Sequence, residues 1–147
     1  MNPLTKIEEE VASWLGVTVH AHRFGGREFR FGRAEIGHVH AGGTVDIPLS
    51  RAVHDEVLSR GLAQEHRWVP DSGWVTFFAC SEEDCAQALW LLRLSYIRYA
   101  LKVTGDPRGV FERESQSLRL SPELKALLER FLPRESTNNE SAKFARV

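Results

Sequence analysis

Two glycine pairs, Gly25-Gly26 and Gly42-Gly43, cut the stretch from Val17 to Leu49 into short β-prone runs, and no other feature constrains the fold as much. Paired glycines suit tight hairpin loops, so this stretch reads as an antiparallel meander. Its strands carry four of the chain's six histidines, as His20-Ala21-His22 and His38-Val39-His40. Residues i and i+2 of a strand share a face, so each His-x-His sets two imidazoles side by side. Imidazole is the side chain that most often binds metals or moves protons near neutral pH.

The turns give a register. A two-residue loop at Gly25-Gly26 opposes His22 to Phe29 and His20 to Phe31. The same loop at Gly42-Gly43 opposes His38 to Ile47 and His40 to Val45, while a turn at Arg33-Ala34 sets Phe29 beside His38. All four histidines then fall on the apolar face, with Glu35, Asp46 and Arg30 on the other, and a slip of one residue would reverse the assignment. His22 and His38 would stand two strands apart, roughly 9–10 Å at ~4.8 Å per strand, with Phe29 between them. That distance argues against one four-histidine metal site. His38 and His40 can still chelate as an adjacent pair if His20, His66 or a carboxylate such as Asp71 supplies a third ligand.

Around this meander the spacing is helical. Thr5-Lys6-Ile7-Glu8 is a capping-box pattern opening a first helix that ends near Gly16, and Ser50 to Arg60 forms a second, stopped by Gly61. Glu65 to Ala79 reads as a hairpin turning at Pro70-Asp71-Ser72-Gly73. Ser81 caps the longest helix, Asp84–Val103, whose apolar stripe suits the sheet, and Gly105-Asp106-Pro107 ends it. Ser121-Pro122-Glu123 opens a final helix to about Leu132. The expected fold is α+β: an antiparallel sheet of five or six strands with helices on one face, in one domain over residues 1–133, followed by a polar tail, 134–147, expected to be disordered.

Composition narrows the function classes. A formal net charge of −1 supplies no field for nucleic acid or anionic membranes. Arg23, Arg27, Arg30 and Arg33 are diluted by Glu28 and Glu35. Cys80 and Cys85, spaced C-x4-C, match no zinc or redox motif and read as free thiols. No apolar run approaches the roughly 18 residues of a membrane span, so a cytoplasmic protein is expected. Nucleophile-elbow, dinucleotide-binding and Walker A patterns are missing.

For the histidines three readings stand: structural groups at the core edge, a ligand-binding or catalytic cleft, and a metal site. The cleft reading places a small ligand between the histidine-bearing sheet face and the long helix. Its contacts would be His22, His38, His40, Asp71, Trp74 and Arg98, with His38 or His40 as general acid or base. Asp71 and Ser72 equally suit local turn hydrogen bonds, and Arg93 and Arg98 equally suit snorkelling or ion pairing. The alternative is a protein- or nucleic-acid-interaction module using the arginine-bearing face. Cofactor and oligomeric state stay open.

Six segments together resemble a known family: His22-Arg23-Phe24-Gly25-Gly26, Glu28-Phe29-Arg30, Glu35-Ile36-Gly37-His38-Val39-His40, Asp46-Ile47-Pro48, Asp71-Ser72-Gly73-Trp74-Val75 and Leu94-Ser95-Tyr96. In that order, from about Val17 to Tyr99, they look like the luciferase domain of small bacterial and fungal proteins, a domain of unknown function. The family's name implies light emission, but the chain carries no flavin or luciferin motif. The element order is also similar to the YjbR-like fold of small α+β proteins, an analogy of architecture alone.

Overall fold

The computed structural model describes residues 2–69 and 71–134. The elements run α1 (Pro3–Ala12), β1 (Val17–His22), β2 (Gly26–Phe31), β3 (Ala34–Val39), β4 (Thr44–Pro48), α2 (Arg51–Ser59), β5 (Gln64–Glu65), β6 (Trp74–Phe78), α3 (Glu82–Val103), α4 (Pro107–Ser117) and α5 (Pro122–Glu129). The strands form one antiparallel sheet in the order β1-β2-β3-β4-β6-β5, so the fold is α+β with six strands. The tail expected from residue 134 onward lies, but for Arg134, outside the described residues, as does Pro70 of the expected turn.

Local chemistry accounts for most boundaries. Ser50, Ser81 and Ser121 each accept a backbone N–H as N-caps, and Ser81 and Asp84 complete a capping box at the start of α3. The first helix starts earlier than Thr5 suggests: Asn2 caps it and Pro3 takes the first turn, where a missing N–H costs nothing. Helix α4 was not expected. Asp106-Pro107, legible as the stop of α3, is also the N-cap and first turn of α4, with the Asp106 carboxylate accepting the Gly109 N–H.

One face of the sheet is covered. Phe29, Val45, Ile47 and Val75 are fully buried there, with α3 against β3 and β4 and α1 against β1 and β2. Arg27, on the same face, reaches Glu8 of α1 at 3.2 Å. Arg93 of α3 packs against both the Trp14 and Tyr96 rings, at 4.8 and 4.5 Å from their centroids, and pairs with Glu114 of α4 at 2.7 Å.

The histidines are not on that face. Both glycine-closed hairpins use three-residue loops, Arg23–Gly25 and Ala41–Gly43, rather than two-residue ones. Gly25 and Gly43 take positive φ (+81° and +101°) at the last loop position, the geometry of a three-residue loop closed by a bulge. His22 therefore opposes Gly26 and not Phe29, and His38 opposes Asp46 and not Ile47. Each change is an odd number of residues, so every histidine moves to the face away from the helices. The intervening turn also shifts, to Gly32-Arg33, since Phe31 pairs with Ala34.

A bulge completes the arrangement. The β2–β3 register slips between Phe29↔Gly37 and Arg30↔Glu35, leaving Ile36 as the extra residue. In a regular strand Glu35 and His38, three apart, would face opposite ways. The bulge buries Ile36 among the helices and turns Glu35 and His38 onto the same, uncovered face.

Candidate functional site

The uncovered face carries a polar row that crosses all six strands: His20, Glu28, His38, Asp46, Thr76 and Gln64 are successive ladder partners. The neighbouring row holds His22, Gly26, His40, Thr44 and Phe78. Gly26 decides the geometry. It stands on β2 between His22 and His40, where a side chain would otherwise separate β1 from β3. Without one, the His22 ring leans across and stacks on His38, ring centroids 4.1 Å apart and planes 17° from parallel. His40 meets His38 edge-on at 4.8 Å.

Asp46 sits at the centre of this group and is almost fully buried. Its Oδ2 accepts His38 Nε2 at 3.0 Å and His40 Nε2 at 2.8 Å, and His66 Nε2 lies 3.6 Å away. Thr76 donates its hydroxyl to Oδ1 at 2.7 Å. On its other side, His38 Nδ1 donates to Glu35 Oε2 at 2.6 Å. His22 Nδ1 faces Glu28 Oε1 at 3.3 Å, and Glu28 is held in turn by Arg30.

The electrostatics follow from this wiring. Burial alone would lower the His38 pKa, but hydrogen bonds to Asp46 and Glu35 outweigh it and push the value up to about 9. His38 is therefore an imidazolium whose two N–H groups are both engaged. Burial alone would raise the Asp46 pKa, but His38, Thr76 and His40 hold this carboxyl well below the usual carboxylate range. Glu28 is likewise lowered, because Arg30 and His22 offset its burial.

Above this floor is a cleft of about 710 Å³. Its lining adds Trp74, Thr76 and Phe78 of β6, Arg23 and Phe24 of the first hairpin loop, and residues 66–69 from the connection between β5 and β6. That connection spans residues 66–73, not a four-residue turn, since Glu65 pairs with Val75. The Trp74 ring lies 5.4 Å from His38 and 6.0 Å from His66. Phe24, Trp68, Val69 and Phe78 are all exposed and all on this lining. Phe24 is held at φ 56°, an unusual conformation for a bulky residue.

Of the residues singled out from the sequence, His22, His38, His40 and Trp74 come together here. Asp71 and Arg98 do not line the cleft. The Asp71 side chain is 91% exposed, and its backbone carbonyl accepts from Arg51. Arg98 is on α3, on the covered face, where it donates to the Pro48 carbonyl at 3.0 Å. The cleft consequently lies on the far side of the sheet from α3, not between sheet and helix as the two-residue loops implied. His20 stands at the β1 edge, bonded to Thr18. Sequence reasoning gave no functional weight to Asp46, Glu35, Glu28 or Thr76. An isolated acid between Val45 and Ile47 in a β-prone run is the signal that points to Asp46.

The family comparison bears on this floor. Residues 33–95 match the family model of the Luciferase domain. The resemblance read from the sequence is thereby borne out. The matched stretch contains Glu35, His38, His40, Asp46, His66, Trp74 and Thr76, whereas His22, Gly26 and Glu28 precede it. No curated protein matches the chain, and neither does any solved structure. Among the described residues, no helix is long and apolar enough to cross a membrane.

Proposed function

We propose that this protein binds a small organic molecule in the cleft on the uncovered sheet face, its polar end on the histidine floor and its apolar body against the aromatic rim. The observation that carries this reading is the convergence of His38, His40 and His66 on the single oxygen Asp46 Oδ2, beneath a cleft rimmed by Phe24, Trp68, Trp74 and Phe78. A volume of about 710 Å³ is in the range of small-molecule sites, which combine apolar walls with a few fixed polar groups. Exposed apolar side chains gathered at one place on a surface are themselves a mark of a binding site.

The floor suits a ligand carrying a carboxylate, phenol or carbonyl. His40, oriented by Asp46 and 38% exposed, is the residue placed to exchange a proton with it, whereas both His38 nitrogens are occupied. Arg23 on the lining adds a cation for an acidic group. We read the compartment as the cytoplasm, a reading supported by the unpaired thiols of Cys80 and Cys85. Residues 1–133 are read as one folding unit, supported by a shared core from Ile7 to Leu128.

Protein-observed NMR with a panel of aromatic carboxylates and phenols tests the site. Binders are expected to shift the Trp74 indole and His40 ring signals. Trp74→Ala is expected to weaken them at least tenfold with the fold retained, and Asp71→Ala to leave them unchanged. A panel without binders, or binders insensitive to Trp74→Ala, would sink the reading.

A further inference from the structure

We propose that His22, His38 and His40, with Asp46, form a binding site for one divalent transition-metal ion of the zinc class. One ring nitrogen from each histidine lies within 4.8 Å of one from each of the others. A tetrahedron of 2.0–2.1 Å bonds has edges of about 3.3 Å, so small side-chain rotations bring the three nitrogens to ligand spacing. The separations of Asp46 Oδ2 from His38 Nε2 and His40 Nε2, 3.0 and 2.8 Å, are already near that edge length. His66, 3.6 Å from the same oxygen, stands by as an alternative fourth ligand.

The surroundings are those of a metal site as well as the ligands. Metal-bound histidines characteristically donate their second ring nitrogen to a carboxylate, which fixes the tautomer and aims the first nitrogen inward. His38 Nδ1 does this with Glu35 and His22 Nδ1 with Glu28, leaving Nε2 of each for the ion. The hydrogen-bonded cluster brings three carboxylates, Glu28, Glu35 and Asp46, against one guanidinium, Arg30. A 2+ ion with neutral imidazoles would balance that charge. The ion would take the place of the proton between His38 and Asp46, and that proton would leave to solvent. Gly26 makes the set possible, since His22 reaches the β3 histidines only across a residue lacking a side chain.

This site goes beyond organic ligand binding, and the two separate experimentally. Zinc and cobalt(II) are titrated into the full chain prepared without a polyhistidine tag, following heat by calorimetry and cobalt by its visible absorption. The expected result is one equivalent per chain with the intense visible bands of a four-coordinate cobalt centre. His22→Ala and His40→Ala are expected to weaken zinc at least 100-fold, and Glu35→Gln about 10–100-fold. His20→Ala and Trp74→Ala are expected to leave zinc affinity unchanged, the latter even where it abolishes organic binding. Circular dichroism of each variant separates lost ligation from lost fold, and Glu35→Gln keeps all proposed ligands should an alanine variant unfold. Dissociation constants weaker than about 100 µM for both ions, octahedral cobalt spectra, or zinc binding indifferent to His22→Ala would overturn the proposal.

Discussion

The His22 ring stacks on the His38 ring at 4.1 Å although their strands are not neighbours, because the β2 residue beside them is Gly26. A Cβ on Gly26 would stand 2.6 Å from the Val39 carbonyl oxygen, a backbone atom that cannot swing aside.

Gly26→Ala therefore tests whether the site is built on this absence. The added methyl must force β2 from β3, and overpacking of this kind costs about 1–3 kcal/mol. Urea unfolding should show that loss, and zinc affinity should fall with it as His22 is pushed away. Gly42→Ala, with open space around its Cβ, should change neither by a measurable amount.

The Asp46–His38 ion pair predicts a stability profile for the chelator-treated protein. His38 has its pKa raised in the folded state, to about 9, so its contribution is complete below the unfolded value near 6.5 and is lost as pH rises through about 9. Asp46 is lowered, so its contribution is present above the ordinary carboxylate range and is lost only on strong acidification. The two describe one interaction, worth at most about 3 kcal/mol by the His38 shift. Tm should fall by several degrees between pH 7 and pH 10. Asp46→Asn should flatten that fall and bring the His38 titration, followed by NMR, down toward its ordinary value.

Arg93 ties α3 to α4 and to the connection between α1 and β1, stacked on Trp14 and Tyr96 and bonded to Glu114. Its planar guanidinium does what an ammonium cannot, so Arg93→Lys should recover little of the stability lost in Arg93→Ala. We expect a loss of about 1–3 kcal/mol in Arg93→Ala, since a partly buried carboxylate is left behind. Chemical denaturation of the two variants side by side measures this.

His54 of α2 is 2% exposed, with Nδ1 on Asp55 at 2.8 Å and a buried Nε2 that has no hydrogen-bond partner among the described residues, the Glu65 carboxylate standing 3.9 Å away. An unsatisfied buried nitrogen costs stability that an apolar replacement avoids. His54→Leu should accordingly unfold at the same urea concentration as the parent or a higher one. A clear drop would mean that Nε2 has a partner in solution.

Much of the architecture was legible along the chain. Ser50, Ser81 and Ser121 announced three helix starts, and the apolar stripe of Leu89, Leu92 and Tyr96 announced the central helix. These signals are local: a cap bonds within three residues, and a helical face repeats within one turn. Helix α4 was missed because Asp106-Pro107 serves as both a stop and a start.

The site was legible only in its residue types. His20-Ala21-His22 and His38-Val39-His40 guaranteed paired imidazoles on one face of the sheet, and the strand period alone secures that. Which face it would be depended on whether each hairpin loop held two residues or three, a difference of one residue that inverts a strand. The choice was made by the packing of the whole sheet, which buries Phe29, Val45 and Ile47 against α1 and α3 and leaves the histidines opposite. The Ile36 bulge then turned Glu35 beside His38, and Gly26 let His22 cross a strand. Sequence determined that the imidazoles exist in pairs; tertiary structure decided that they meet, because only assembled strands set His22 against His38 and bring His38, His40, His66 and Thr76 to the Asp46 carboxylate.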